Sequence, residues 1–166
     1  EPEDSEAWYS LSVAYTILKR YDDAIEACRQ TLQIKPEYAY AWYYLGIAYR
    51  ELNRYEDSID ACRQALRINP EYADFWSNIG VTYRQLKRYD DAIEAHLKAL
   101  SIDPEYADAW NNIGNAYSDL KRYDDAIEAY CQVLRINPDY DKAYYNLAII
   151  YSDLKRYDDA IESNRQ

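Results

Sequence analysis

The sequence predicts an all-α solenoid, in which antiparallel helix pairs stack in single file. One observation is a ten-residue phrase, LKRYDDAIEA, which occurs at 18–27, 86–95 and 120–129 and in similar form at 52–61 and 154–163. Another is the spacing of rarer residues: the five prolines, and separately the four tryptophans, are each 34 residues apart. A fixed period between about 20 and 50 residues is typical of solenoids and other repeat arrays.

The period divides the chain when each unit is numbered with its tryptophan at position 4. We expect full repeats at 5–38, 39–72, 73–106 and 107–140, a truncated repeat at 141–166, and the tail of a preceding repeat at 1–4. Because each unit contacts only its neighbours, we expect one continuous domain. Both ends fall inside the period, so we interpret the sequence as a window of a longer array or an engineered boundary.

Apolar spacing predicts the first helix of each unit, called helix A. The second repeat has the i, i+3, i+4, i+7 pattern of one helical face at Trp42, Leu45, Gly46 and Tyr49. We expect this helix at about 40–52. A glycine here lowers helix stability by about 1 kcal/mol relative to alanine. Since Ser12 and Ala148 fill the same column, we infer that a small residue permits close approach of a second helix.

The repeated ten-residue motif contains the turn between helix A and a second helix, helix B. The basic residues 19–20 suit the negative end of helix A, and the acidic residues 22–23 are expected to cap free N–H groups of helix B. Tyr21 is expected to pack in the corner. Helix B continues until Pro36 prevents its extension. We therefore interpret these charges as structural.

The motif W-x2-L-G-x2-Y, followed by Ala and Pro, resembles the tetratricopeptide repeat family. Two repeats show it most clearly, at Trp42, Leu45, Gly46, Tyr49, Ala65 and Pro70, and at Trp76, Ile79, Gly80, Tyr83, Ala92, Ala99 and Pro104. Departures elsewhere are conservative in size. The resemblance implies a right-handed superhelix in which helix A lines a concave groove. It also implies a role in binding other proteins, often as an extended peptide.

Composition disfavours several other classes of partner. The formal net charge of -11 disfavours nucleic-acid backbones and anionic membranes, and the longest apolar runs are too short to span a bilayer. The acidic N-terminus, EPEDSE, is not typical of a signal peptide. Three cysteines that we expect to be unpaired favour a reducing, cytoplasmic location. We expect a protein or peptide partner, no nucleic acid and no membrane.

Catalytic and metal sites are not expected. His96, the single histidine, shares position 24 with Cys28, Cys62 and Tyr130, a column expected to pack inside helix B. We interpret His96 as an interior histidine with satisfied polar groups. Equivalent positions in stacked repeats lie about 8–10 Å apart, too far for shared zinc ligands or a disulfide. We therefore expect no enzyme, no metal and no cofactor.

The groove implied by the resemblance changes character along the chain. Its N-terminal end is aromatic and apolar, at Tyr9, Val13, Tyr40, Tyr43, Tyr44 and Ile47. Tyrosine offers a large apolar face with a polar tip, which is common at interfaces. The alternative is that these tyrosines pack between neighbouring repeats. In the middle, Arg50 and Arg84 could bind a partner carboxylate. They could equally pair with Glu51 or another carboxylate of the groove.

Toward the C-terminus the groove becomes rich in amides. Asn78, Asn112 and Asn146 form a column at position 6, joined by Asn111 and Asn115. An amide can donate to and accept from a peptide unit, and this column resembles the asparagine ladder of O-linked N-acetylglucosamine transferases. The alternative is that these amides stabilise the stack. Val81, Lys142 and Tyr145 complete the predicted groove. Chaperone-tail recognition is not expected, because only Asn112 and Lys142 match the carboxylate clamp of such family members.

The leading functional hypothesis is a non-catalytic scaffold that binds a partner segment in this groove. One alternative is self-assembly, in which uncapped ends stack head to tail and could continue as a filament. Another is that the chain is the repeat region of a larger enzyme, such as a glycosyltransferase.

Overall fold

A computed structural model describes residues 4–156 of the chain. Within this range there are nine α-helices and no strands. Their bounds are α1 Ser5–Ile17, α2 Tyr21–Ile34, α3 Ala39–Glu51, α4 Tyr55–Ile68, α5 Ala73–Gln85, α6 Tyr89–Ile102, α7 Ala107–Asp119, α8 Tyr123–Ile136 and α9 Asp141–Asp153. The predicted second helix of the fifth repeat and most of the predicted tail at 1–4 lie outside the described residues.

The helices form a single file of antiparallel pairs. Three residues connect the two helices of each pair, and four residues connect one pair to the next. Each helix packs against the next one in the chain, and each odd-numbered helix also contacts the next odd-numbered helix. The predicted all-α solenoid is therefore confirmed. None of the helices in the described range is long and apolar enough to cross a membrane.

The corner within each pair is a tight helix stop rather than a flexible loop. In the third repeat the backbone N–H of Lys87 donates to the carbonyl of Arg84, and that of Arg88 donates to the carbonyl of Tyr83, both at 2.9 Å. These bonds satisfy carbonyls that the end of α5 leaves free. Lys87 has φ 59°, in the left-handed region that favours glycine. The equivalent residue in each of the other described corners also has positive φ.

An arginine in the turn contacts side chains of both helices. The Arg88 guanidinium lies 4.5 Å from the centre of the Tyr83 ring on α5, and its Nε is 2.7 Å from Asp91 Oδ2 on α6. Arg88 is the N-cap residue of α6, and no side chain caps that helix end. Asp23 likewise accepts from Arg20 at the start of α2. The expectation that the acidic pair 22–23 caps N–H groups is therefore wrong, because the neighbouring arginine takes up the carboxylate of Asp23.

Close approach of the two helices depends on the small residue of helix A. A Cβ built on Gly80 would lie 2.6 Å from Nε2 of His96, and one built on Gly114 would lie 2.6 Å from Cε1 of Tyr130. Real Cβ atoms essentially never come this close to another heavy atom. The prediction that this column permits helix–helix contact is confirmed.

The contact between neighbouring repeats uses a second set of small residues. Ala41, Ala48, Ala109 and Ala116 are all completely buried there. One member of this set is large: Phe75, also completely buried, stands where the second and fourth repeats have Ala41 and Ala109. Its ring centre lies 5.1 Å from that of Tyr43 and 5.8 Å from that of Tyr40. Aromatic side chains therefore fill the junction between the second and third repeats.

Replacing Lys87 by glycine is expected to stabilise the protein. A residue with a Cβ incurs roughly 1–2 kcal/mol in the left-handed region, whereas glycine loses more chain entropy on folding. We expect a net gain of about 0.5–1 kcal/mol in the free energy of unfolding, measured by urea denaturation. Lys87→Ala keeps the Cβ and should change this free energy little. Equal effects of the two substitutions would show that the backbone conformation is not the cause.

Candidate functional site

The odd-numbered helices form one continuous face, here called the odd-helix face. A cavity of about 250 Å³, the central cavity, opens on it between the second and fifth repeats. Its lining residues are aromatic, aliphatic, amide and charged: Tyr43, Ile47, Arg50, Asp74, Ser77, Asn78, Val81, Tyr106, Asp108, Asn111, Asn112, Tyr140 and Lys142. The structure thus brings together many of the residues that the sequence suggested for a groove.

The remaining predicted residues lie on either side of this cavity. A neighbouring cavity of about 160 Å³ is lined in part by Arg84, Asn115 and Asn146. Tyr145 is 63% exposed and lines a separate cavity on α9. Toward the N-terminus, Tyr9, Val13, Tyr40 and Tyr44 do not line the central cavity.

The N-terminal tyrosines form a packed aromatic cluster. The ring centres of Tyr9 and Tyr44 are 5.8 Å apart, and those of Tyr43 and Tyr44 are 5.4 Å apart. These distances are typical of aromatic pairs that add to apolar burial. The alternative of packing between repeats is therefore realised. Tyr43 and Tyr44 nevertheless remain partly exposed, and Tyr40 is 37% exposed.

The two groove arginines have intramolecular partners. The Arg50 guanidinium lies 2.9 Å from Glu51 Oε1 and also donates to Asn78 Oδ1. Nε of Arg84 lies 2.7 Å from Asp119 Oδ2 on the next odd-numbered helix. These are the pairs that the alternative interpretation predicted, and they fix both cations to the repeat stack.

The asparagines divide into buried and accessible amides. Asn78 and Asn111 are only 4% and 7% exposed, and Asn78 Nδ2 donates to Cys62 Sγ at 3.0 Å. They are part of the cavity wall, and the bond from Asn78 to Cys62 fits the alternative in which these amides stabilise the stack. Asn146 donates to Asn115 Oδ1 at 3.1 Å, across a repeat boundary. Asn112 differs from these, since within residues 4–156 its side chain makes no hydrogen bond.

A column of tyrosine–carboxylate pairs was missed by the sequence reasoning. The Tyr106 hydroxyl donates to Asp74 Oδ1 at 2.6 Å, and the Tyr140 hydroxyl donates to Asp108. In the first repeat, burial and the bond to Glu6 raise the pKa of Tyr38 to about 12. The signal was present: the last residue of each full repeat is tyrosine, and position 2 is acidic in three of them, at Glu6, Asp74 and Asp108.

His96 is the most unusual buried group near this face. Its side chain is completely buried, as predicted. Nδ1 lies 3.4 Å from Ser77 Oγ, and the Ser77 hydroxyl also lies near that of Tyr106, where it offsets part of the rise in the Tyr106 pKa. Nε2, however, is the one buried side-chain nitrogen or oxygen within residues 4–156 that has no partner, so the structure shows only one of the two ring nitrogens of this histidine satisfied. Burial and the nearby Arg84 lower the imidazole pKa to about 4.

Comparison with protein families gives matches along nearly the whole chain. One model described as tetratricopeptide repeat matches residues 5–38 and 39–72. A second model with the same description matches residues 71–139 and 105–166. Among curated proteins, no sequence matches the chain.

Solved structures with the same architecture include three at low sequence identity. PilF of Pseudomonas aeruginosa has a TM-score of 0.87 at 22% identity, over 96% of this chain and 72% of that one. A MamA protein has a TM-score of 0.81 at 23% identity, over 93% and 91%. YrrB, described as a TPR protein with an unusual peptide-binding site, has a TM-score of 0.71 at 20% identity, over 97% and 83%. At these identities the likeness concerns the fold alone.

His96 is expected to make the fold sensitive to mild acid. Because its pKa is lower in the folded chain than the ordinary 6.5, the unfolded chain binds more protons as the pH falls from about 6.5 toward 4. Its contribution to stability is therefore present above about pH 6.5 and is lost on acidification. Between pH 7 and pH 5 we expect a loss of about 2 kcal/mol in the free energy of unfolding.

The matched control for this prediction is His96→Cys, which places at position 24 the residue that the second repeat has at Cys62. Urea denaturation of both proteins at the two pH values separates the imidazole from the carboxylates, which titrate in both. Parallel losses in the two proteins would contradict the assignment.

Proposed function

The chain belongs to the tetratricopeptide repeat family, and on this premise we propose that it is a non-catalytic scaffold that binds an extended partner segment on its odd-helix face. The observation that carries this proposal is the central cavity, which combines uncommitted polar groups with aromatic surface. Asn112 there makes no side-chain hydrogen bond, and Lys142 has no carboxylate within 4.0 Å in the described part of the chain. Such groups can form new bonds without breaking existing ones.

The cavity chemistry suits a peptide backbone. The Asn112 amide has two donor hydrogens and an acceptor oxygen, which match the C=O and N–H of a peptide unit. Ile47 and Val81 are partly exposed beside it and can contact aliphatic side chains. The partly exposed ring of Tyr43 adds a rigid aromatic face.

Charge on the same face favours a basic partner segment. Asp74 and Asp108 accept from tyrosine hydroxyls, but within residues 4–156 neither has a cationic side chain within 4.0 Å. The two arginines of the face are already paired with Glu51 and Asp119. A partner with lysine or arginine side chains would supply the missing counter-charge, and the net charge of -11 would favour its approach.

One structural relative supports this class of function. YrrB, which shares the fold, is described as having a peptide-binding site. For the present chain the assignment depends on the central cavity itself, since the sequence identity to YrrB is only 20%.

Selection of ten-residue peptides from a random display library provides a direct test. We expect basic peptides whose affinity falls about 3- to 10-fold in Asn112→Ala, the range for losing one net hydrogen bond, and decreases with added salt. Tyr43→Ala should weaken binding as well. Gln33→Ala, an exposed change on α2, is the control and should bind as the parent does. Unchanged affinity in Asn112→Ala would place the peptide site elsewhere.

Self-association is a second candidate, favoured by the outer face of α1. Ala14 is exposed, whereas Ala48 and Ala116 in the same column are completely buried by the preceding repeat. Ile17 and Leu18 nearby are 74% and 65% exposed. A second copy stacked in the same sense as the repeats would cover these residues, and this contact could continue from chain to chain.

Light scattering over a concentration series tests this candidate. Self-association predicts a molar mass that rises with concentration, and Ala14→Glu should abolish the rise by placing a charge at the contact. Gln33→Glu adds the same charge on α2 and should leave the rise unchanged. A constant monomer mass in the parent chain would exclude stacking through α1.

A further inference from the structure

A chain of neighbouring polar groups runs from the edge of the central cavity to His96. The Asp74 carboxylate on α5 accepts from the Tyr106 hydroxyl at 2.6 Å. The Ser77 hydroxyl lies near that of Tyr106, where it offsets part of the rise in the Tyr106 pKa, and Ser77 Oγ lies 3.4 Å from Nδ1 of His96 on α6. Three of these four residues lie on or beside α5, and the chain ends at a buried imidazole.

The carboxylate at one end sets the direction of every bond in the chain. Ionised Asp74 can only accept, so the single hydroxyl proton of Tyr106 is used in that bond. Any hydrogen bond between Tyr106 and Ser77 must then use the Ser77 proton. Ser77 is left as an acceptor toward His96, so Nδ1 carries the imidazole proton. In the neutral ring, Nε2 is therefore a bare acceptor.

The unprotonated Nε2 of His96 needs a hydrogen-bond donor, because the side chain is buried. His96 is completely buried, and an unsatisfied buried polar group costs roughly 1–3 kcal/mol. Nε2 lies against Gly80, beneath the odd-helix face. The residues that share the position of His96 in other repeats show where a donor comes from.

In two of those repeats the asparagine at position 6 of the following repeat lies beside that residue, and in one of them it is the donor. Asn78 Nδ2 donates to Cys62 Sγ at 3.0 Å. Asn146 lies near the Tyr130 hydroxyl, where it offsets part of the rise in the Tyr130 pKa, and Tyr130 itself donates to Asn115 Oδ1 at 2.8 Å. By the 34-residue period the corresponding asparagine for His96 is Asn112, which makes no side-chain hydrogen bond within the described residues.

We propose that His96 is a positioning residue for Asn112, whose Nδ2–H group donates to Nε2 while Oδ1 faces the central cavity. The amide is then held in one of its two orientations and presents an acceptor to the N–H of a bound peptide. The effect on peptide binding rests on the proposed function, but the orientation does not. The charged group that acts on the imidazole is Arg84 of α5, which is paired with Asp119 of α7.

Nuclear magnetic resonance of the free protein tests the orientation without any ligand. In the parent chain we expect the Nδ1–H tautomer of His96 at pH 7, with the ¹⁵N resonance of Nε2 at the position of a hydrogen-bonded acceptor. Asn112→Ala should move that resonance toward a free acceptor, whereas Asn146→Ala, one repeat further, should not. An Nε2–H tautomer in the parent chain would overturn the proposal.

A charge substitution gives a second readout that a merely structural role would not move. In Asn112→Asp a carboxylate replaces the donor, and a carboxylate within about 4–6 Å should raise the His96 pKa by about 1–3. The matched variant Asn146→Asp has the same charge and should leave the His96 pKa near its parent value. Equal titration of His96 in the two variants would overturn the proposal, whether or not a peptide binds.

The chain of polar groups can be cut at its other end. Tyr106→Phe removes the link between Asp74 and Ser77, so the Ser77 proton is free to point toward the imidazole. We expect a mixture of His96 tautomers in this variant. Tyr140→Phe, the equivalent change in the next repeat, should leave the tautomer unchanged. A single Nδ1–H tautomer in Tyr106→Phe would show that Asp74 does not set the direction.

Discussion

The stack depends on a contact between a small residue of each first helix and one side chain of the second helix. At Gly80 and Gly114 there is no room for a Cβ above the rings of His96 and Tyr130. Because the side chain from the second helix must fit under the first, its polar end comes within reach of the odd-helix face. The thiol of Cys62 and the hydroxyl of Tyr130 both bond to asparagines there. The same contact therefore holds the helix pair together and determines which polar atoms lie beneath the face.

Much of the fold could be predicted from the sequence because its determinants repeat. The 34-residue period, the apolar spacing around Trp42 and the small residue at Gly46 each follow from local rules of helix geometry. The corner was predicted less well. The guanidinium of Arg88 packs on the Tyr83 ring of the preceding helix. Rules for helix ends consider only neighbouring residues in the sequence, so they do not predict this contact.

The location of the site could be predicted from the sequence. Which of its polar groups are already hydrogen-bonded could be predicted only in part. The family resemblance indicated the odd-helix face, and Asn112 and Lys142 do line its central cavity. Whether an amide there is used or free depends on partners from another repeat, as for Asn78 and Cys62. These two residues are 16 positions apart in the sequence and lie on different helices, so local spacing does not reveal the pair. The tyrosines and carboxylates of these pairs recur in the sequence. Only the structure shows that the last residue of a repeat lies within hydrogen-bond distance of the residue at position 2 of the same repeat.

Phe75 makes one junction of the array different from the others. Its ring is completely buried against Tyr40 and Tyr43, which only the second repeat supplies. If the third repeat docked on the fourth, the residues in those places would be Asp108 and Asn111, and a phenyl ring would meet a carboxylate and an amide. Near-identical repeats offer a folding chain many ways to pair out of order. Because only the second repeat offers Phe75 an aromatic environment, this residue favours docking of the third repeat on the second over the other possible pairings.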